Sequence, residues 1–411
     1  MARSDGHADV FITASVRTPF GRFGGRLRER SPIELGSLIL RAAVSRAGSD
    51  GEDIGELYVG MGCFEAGQFV PARQMLIGSG LPVGTPSLTV DRACCSGMTS
   101  IGLAWRDLLA GSYPRAAVVG VDVLSATPYL LEQTRWGTRR GDFTVKDPLA
   151  FRAPFLGDTQ IARYTGEVAI ERGCGRQAQD AWAVASHQRY GEALGKGLLD
   201  RQVLSWAAVE SGDVLAVDAT AEGSRQDEQY RADTELERLA SLPTVYGSPT
   251  VTAGNAPGLN DGAAAVVLST RDAIGEAGPP RAQIIDYLQM AGEPTSAVYL
   301  PGRAVTQIVR RNGLSMSQVH VVEINEAYAA TALCSVAEMA SEAAVPAEHL
   351  AVITNAWGGA IASGHPLGAS GVRIVANVID RLAARGGGVG VAAICGGFGQ
   401  TDALLVRLAE P

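Results

Sequence analysis

Two thiols and one imidazole in this chain stand where chemistry can be done: Cys94, Cys395 and His365. Cys94 lies in Asp91-Arg92-Ala93-Cys94-Cys95-Ser96-Gly97-Met98, where an extended stretch, Ser87 to Val90, runs into a helix marked by Met98, Ile101, Trp105 and Leu108. A thiol near a helix N-terminus meets unpaired amides and the positive end of the dipole, and both favour the thiolate. Free cysteines are more often inert buried hydrophobes, so this stretch alone leaves both readings open for Cys94 and Cys95. His365 sits between Gly364 and Pro366, which fix the backbone and leave room for a substrate. A lone histidine is usually structural, but an imidazole is what a thiol nucleophile requires as proton acceptor. Cys395-Gly396-Gly397-Phe398-Gly399 ends the apolar strand Ala392 to Ile394, which sets a second thiol beside glycine amides able to stabilise an oxyanion. Glu323-Ile324-Asn325-Glu326-Ala327-Tyr328 follows an apolar strand from Val319. Asn325 there can bond a water or an oxyanion, or simply cap a helix, and Glu326 can orient a neighbour.

The elements that must position these groups alternate between strand and helix. Val10 to Ala14 reads as a strand, and a helix starts at Ser31 with Pro32 first and Glu34 third, a capping-box arrangement. Its stripe of Leu35, Leu38, Ile39, Ala42 and Ala43 should face a core. A strand at Leu57 to Val59 and a helix at Ala72 to Ile77 follow. Ala116 to Gly120 is continuously apolar, as in a sheet covered on both faces. Between 126 and 250 the chain is more charged and carries a strong helix from Gln177 to Leu194, so this segment reads as an insertion. Within it, Thr220 to Arg238 mixes both signs of charge and reads as a solvated face or surface helix. The core resumes at Thr250 to Gly262 and the buried strand Ala263 to Leu268. Beyond Pro279-Pro280, the order of Gly368-Ala369-Ser370-Gly371, an apolar helix, a glycine-rich turn and the strand Val389 to Ile394 echoes the passage from Ser96 to Gly120. A duplicated α/β unit is implied.

Composition narrows the partners. The 411 residues are 46% hydrophobic, and the 50 glycines follow no collagen-like period, consistent with many tight strand-to-helix turns. A net charge of -8 without a Lys/Arg block argues against nucleic acid. Arg135, Arg139, Arg140, Lys146 and Arg152 form a local basic stretch that could meet an anionic, phosphorylated ligand or be a solvated loop face. The six cysteines show no CxxC pair and no histidine at metal-ligand spacing, which argues against a metal site and for a reducing compartment. The polar Met1 to Val10 has no apolar leader core, and no run approaches a membrane span, so the expectation is a cytoplasmic protein with no membrane partner.

Together these motifs resemble the thiolases over nearly the full length. Arg17-Thr18-Pro19-Phe20-Gly21 is similar to RTPxG, Cys94-Cys95-Ser96-Gly97-Met98 to CxSGM, and Asn325-Glu326-Ala327-Tyr328 to NEAF. Gly364 to Gly371 is similar to GHPxGASG, and Cys395-x-Gly397 to the start of CxGGGxG. The resemblance implies two duplicated α/β halves in five layers (α-β-α-β-α), with residues 1–125 and 251–275 in the first half and 276–411 in the second. Residues 126–250 would be a loop domain covering a coenzyme A site. It implies no permanently bound cofactor, coenzyme A and acyl-CoA as substrates, and a homodimer or homotetramer. By motif, Cys94 would take the acyl group, His365 would activate it, and Cys395 would exchange a proton with the α-carbon of a second acyl-CoA. Asn325 would hold a water that forms one oxyanion hole with His365, while the amides of Cys94 and Gly397 form the other. CoA or substrate contacts would come from Ala253, Pro257, Ala327, Tyr328 and Leu156, with Ile161 an alternative to Leu156 at the acyl pocket. The implied reaction is reversible cleavage or Claisen condensation of 3-oxoacyl-CoA, closest to the acetoacetyl-CoA type. Longer or unusual acyl chains, a decarboxylating ketoacyl synthase and a catalytically silent partner subunit are the alternatives. Phe398 within the glycine motif and Pro257 in place of a pantetheine-binding serine depart from the family pattern.

Overall fold

The computed structural model describes residues 9–64, 69–132, 134–137, 140–214, 224–274 and 282–409. Its central feature is a ten-stranded sheet. The strands are β1 (Val10–Arg17), β2 (Ile54–Gly60), β3 (Ser87–Val90), β4 (Arg115–Val123) and β5 (Asn260–Thr270) from the first half. The second half supplies β6 (Ala282–Ala291), β7 (Val321–Ile324), β8 (Gly388–Cys395) and β9 (Gln400–Leu408). They run in the order β7-β8-β9-β6-β1-β5-β4-β2-β3, and Gly21–Arg22 pairs alongside β5.

The path is a palindrome of directions. β2 is parallel to β4, which is antiparallel to β5, which is antiparallel to β1. Likewise β7 is parallel to β8, then β9 and β6 follow antiparallel. The duplication expected from sequence is therefore present. The halves meet where Phe11 and Ile12 pair with Gln283 and Ala282.

Every residue of β4 and of β5 is buried, because both faces of the sheet are covered. Alternate residues of β4 serve different cores. Ala116 and Val118 face a central cluster, while Ala117, Val119 and Val121 face an outer one. The central cluster holds helices α3 (Ser96–Leu109) and α8 (Leu367–Arg385) between the two half-sheets. One outer layer is α1 (Pro32–Arg46) with α2 (Pro71–Ser79); the other is α6 (Leu300–Arg311) with α7 (Ala329–Ala343). These are the five layers. The α1 capping box forms as expected, with Ser31 Oγ accepting from the Glu34 amide and Glu34 Oε2 accepting from the Ser31 amide.

Four glycines let the two central helices approach the sheet ends. A Cβ on Gly97 or on Gly120 would lie 2.2 Å from the Gly368 carbonyl, and one on Gly368 would lie 2.4 Å from the Gly60 carbonyl. No side chain fits there, so the start of α8 rests directly on β2, β4 and the start of α3. That crossing brings the His365 turn to the Cys94 turn.

The inserted segment is anchored to both halves. Its helices are α4 (Ile161–Glu171) and α5 (Arg176–Gly195). On α5, Trp182 Nε1 and Ser186 Oγ donate to Glu326 at 2.9 and 2.8 Å, and Glu326 also accepts from Asn355 and the Ile361 amide. Leu204, Trp206, Val209 and Val214 return to the outer core beside α1.

The expectation of a solvated face over Thr220 to Arg238 is corrected for its middle; residues 220–223 lie outside the described residues. Asp227 is wholly buried. It accepts from both terminal nitrogens of Arg17 at 2.7 and 2.8 Å, from the Phe20 amide at 2.6 Å and from the Tyr190 hydroxyl at 2.8 Å. Charge alternation along the sequence does not reveal a carboxylate whose partner is more than two hundred residues away. Asp227→Ala strands a buried guanidinium and should cost about 3–5 kcal/mol, read as a lower urea midpoint.

Candidate active site

The strand β3 ends at Val90, and the chain then makes a tight turn, Ala93–Cys95, before α3 begins at Ser96. Cys94 thus stands one short turn ahead of the helix rather than on it. Ala93 has φ +50, a left-handed conformation that costs an alanine energy and that the surroundings must hold in place. They do so from several sides. The Ser96 hydroxyl accepts from the Arg92 amide at 2.9 Å and donates to the Met61 carbonyl at 3.0 Å. The Arg92 guanidinium donates to Asp402, to Gln400 and to Thr99, and the Tyr287 hydroxyl donates to Asp402 at 2.6 Å. Cys95 is fully buried and its thiol donates to the Ile394 carbonyl at 3.2 Å, whereas Cys94 is partly exposed.

His365 faces Cys94, with Nε2 3.2 Å from Sγ. Its Nδ1 lies 2.7 Å from the Ser370 hydroxyl, which can in turn donate to the Pro366 carbonyl at 3.4 Å. This network assigns the Nδ1–H tautomer, leaving the Nε2 lone pair toward the thiol. The backbone is fixed by the His365 amide donating to Asn260 Oδ1 at 2.9 Å. Gly364 has φ +101 with Asn260 packed against it, a position only glycine takes without strain.

Asn325 follows β7 directly, its amide donating to the Ala393 carbonyl, and α7 starts only at Ala329. The capping alternative for Asn325 is therefore overturned. Its Oδ1 accepts from Arg373 at 3.1 Å, which turns Nδ2 toward the His365 ring at 3.4 and 3.5 Å from the two nitrogens. Arg373 is itself buried, with Glu323 at 3.9 Å, and Glu323 is bonded by Arg381 at 2.6 Å.

Cys395 ends β8 and is buried, and the nearby Gly397 amide favours its thiolate. Gly397, Phe398 and Gly399 all have positive φ, so Phe398 occupies a left-handed position among glycines; its ring meets Phe155 edge to face at 4.9 Å.

Burial pushes the Cys94 thiol well above its ordinary value, and the neighbouring Cys395 and Asp122 act in the same direction. Burial, then the Arg373 charge, holds His365 down at about 3. Burial raises Cys395 to about 11 despite the Gly397 amide. The resting pair is consequently neutral thiol and neutral imidazole, poised for proton transfer when a substrate supplies the electrophile. Alkylation of Cys94 by iodoacetamide should keep rising with pH above 9 and show no plateau between pH 6 and 8; a plateau there would reveal a preformed thiolate–imidazolium pair.

The remaining expected contacts are spread around this centre. Leu156 and Ile161 pack together with Tyr328 in one small cluster. Ala327 is half-buried beside Asn325, Pro257 is half-buried, and Ala253 is exposed. In the basic stretch, Lys146 pairs with Glu132 and Arg152 with Asp158, Arg135 and Arg140 are exposed, and Arg139 lies outside the described residues. Sequence reasoning missed Ser370, Asn260 and Arg373 as positioning groups. It also missed Asp122, which accepts from the Gly62, Cys63 and Gly368 amides at 2.8, 3.0 and 2.7 Å and pins the glycine crossing. Ser370 and Arg373 were detectable only as polar residues within an otherwise apolar helix.

A duplicated α/β fold with a thiol, an imidazole and an amide at its seam has the groups that acyl transfer through a thioester needs. The sequence matches the thiolase N-terminal domain over residues 10–272 and the thiolase C-terminal domain over residues 278–408. It is 35% identical over 403 residues to a probable acetyl-CoA acetyltransferase of Mycobacterium tuberculosis, covering 96% of this chain and 98% of that one. It is also 35% identical over 411 residues to the beta-ketoadipyl-CoA thiolase of Pseudomonas aeruginosa, covering 97% and 99%. Among solved structures, the acetyl-CoA acetyltransferase of Syntrophomonas wolfei superposes with a TM-score of 0.89 at 29% identity, over 98% of this chain and 99% of that one. Human mitochondrial 3-ketoacyl-CoA thiolase in complex with CoA gives 0.88 at 30% identity, with 98% of each covered. The chain belongs to the thiolase family.

Proposed function

We propose that this thiolase cleaves and forms 3-oxoacyl-CoA through an acyl group carried on Cys94, with acetoacetyl-CoA as the simplest substrate. The observation that carries the reading is the 3.2 Å approach of His365 Nε2 to Cys94 Sγ. In thiolysis the Cys94 proton passes to His365 as the sulfur attacks the 3-oxo carbon. The bond between the second and third carbons breaks, its electron pair forms the acetyl-CoA enolate, and Cys395 protonates that carbon. The thiol of a second CoA then attacks acyl-Cys94, and acyl-CoA leaves. Asn325 with His365, and the amides of Cys94 and Gly397, serve the two oxyanions.

A second reading, toward longer or functionalised acyl chains, is favoured by the relative named beta-ketoadipyl-CoA thiolase and by Phe398 meeting Phe155 beside Cys395. Decarboxylating synthesis is disfavoured because a thiol, not a second imidazole, stands at 395. Ala253, Pro257, Ala327, Tyr328 and Leu156 remain the proposed CoA and acyl contacts.

A homodimer or homotetramer is supported by the outer edge strand β3, which lies beside exposed Val70, Ile77, Val83 and Leu88. Among the described residues no helix is long and apolar enough to cross a membrane; a cytoplasmic setting is supported by the six cysteines, none of which is joined in a disulfide. The test is a thiolysis assay across 3-oxoacyl-CoA chain lengths. Turnover of none of them would overturn the reading.

A further inference from the structure

The helix α4 carries a tyrosine whose hydroxyl the reaction above does not use. Tyr164 is 4% exposed, and its oxygen is wholly enclosed. The amide of Phe398 lies beside that oxygen at a geometry short of a full hydrogen bond, and the hydroxyl proton has no acceptor among the described residues. A buried donor left unmet costs about 1–3 kcal/mol, so an enclosed one near a reaction centre suggests an acceptor that arrives with the substrate.

Its surroundings say which part of the substrate that is. Tyr164 packs with Val298 and Ala330, and with the partly buried Leu156, Ile161 and Tyr328. The same wall reaches the turn after Cys395, where Phe155, next to Leu156, meets the Phe398 ring at 4.9 Å, and Cys395 and Cys94 add to the burial that raises the Tyr164 hydroxyl. Tyr328 packs on the same cluster, and burial, then Tyr164, Cys94 and Cys395, raise its hydroxyl. Two O–H groups, that of Tyr164 unmet, therefore sit in a largely apolar wall that reaches the Cys395 turn through Phe155 and Phe398. Neither can be answered by a hydrocarbon chain.

The charge of the acceptor can also be read. Arg163 on α4 pairs with Glu167, and Arg172 just beyond it pairs with Glu338. With these cations already matched, a carboxylate at this wall would be buried without a counter-charge.

We propose that Tyr164, with Tyr328 beside it, determines acyl specificity by donating to a neutral oxygen on the acyl chain beyond the thioester carbonyl. The ligand class is an acyl-CoA bearing an ether, hydroxyl or keto oxygen. This rests on Cys94 being the acylated residue, and the experiment separates the two ideas.

Single-turnover transfer to Cys94 is followed by CoA release and intact-protein mass for three donors of similar length: pentanoyl-CoA, 3-methoxypropanoyl-CoA and succinyl-CoA. Wild-type protein is expected to prefer the methoxy donor to pentanoyl by about tenfold, with succinyl no better than pentanoyl. Tyr164→Phe should bring the ratio of methoxy to pentanoyl rates near one, leaving the pentanoyl rate intact, and Tyr328→Phe should lower it partway. An unchanged ratio in Tyr164→Phe, an equal loss for both donors, or a preference for succinyl would each overturn the proposal. No adduct on Cys94 from any donor would instead overturn the reading it rests on.

Discussion

Cys94→Ala should lose thiolysis and condensation by about four orders of magnitude or more while keeping its urea midpoint. In the proposed reaction the Cys94 sulfur is the atom that holds the acyl group between the two half-reactions. The side chain is small and partly exposed, so its removal opens little cavity. Mass spectrometry after mixing with acetyl-CoA reads the outcome, an acetyl adduct on wild type and none on the variant. Cys95 offers no substitute, since its thiol is buried and bonded to the Ile394 carbonyl. An adduct persisting in Cys94→Ala, located at Cys95, would place the nucleophile one residue later.

The second large effect separates the half-reactions. Cys395→Ala leaves Cys94 and its His365 contact in place, so acetyl-Cys94 should still form from acetyl-CoA at a rate within about tenfold of wild type. Exchange of the α-hydrogens of acetyl-CoA with deuterium oxide, and condensation, should fall by about 10³-fold, because a positioned proton carrier is worth about 10²–10⁴. Its burial, which raises the thiol to about 11, makes the Cys395 thiolate a stronger base than an ordinary cysteine thiolate. Loss of acylation in Cys395→Ala would instead assign Cys395 to the first half-reaction. Proton NMR for exchange and quenched-flow mass spectrometry for acylation give the two rates independently.

Much of this molecule was legible along the chain. Apolar periodicity located β4, β5, α3 and α8, because a strand or helix covered by neighbours shows its burial in its own residue order. Ser31 and Glu34 fixed the start of α1 because a capping box is closed by residues three apart. Glycine next to His365 and glycines after Cys395 marked backbone that other residues cannot follow.

Polar partners set by packing were not legible. Nothing near Asp227 in sequence foretells Arg17, and its charged neighbours suggested solvent. Asn325 stood equally well as a helix cap until Arg373, on α8, was seen to orient its amide. Tyr164 lies in the charged segment read as an insertion and was not singled out, yet α4 buries it against the second half.

The residues of Cys94, His365 and Cys395, with their glycine settings, were determined by the sequence alone, as was the α/β duplication that carries them. The motif resemblance chose Cys94 over Cys95; what only the tertiary structure decided is the contact itself, His365 Nε2 meeting the Cys94 sulfur across 271 residues of chain. Local pattern records which face of an element is apolar. Which polar atoms meet depends on how closely two elements can approach, and here on a crossing where Gly60, Gly97, Gly120 and Gly368 leave no room for a side chain.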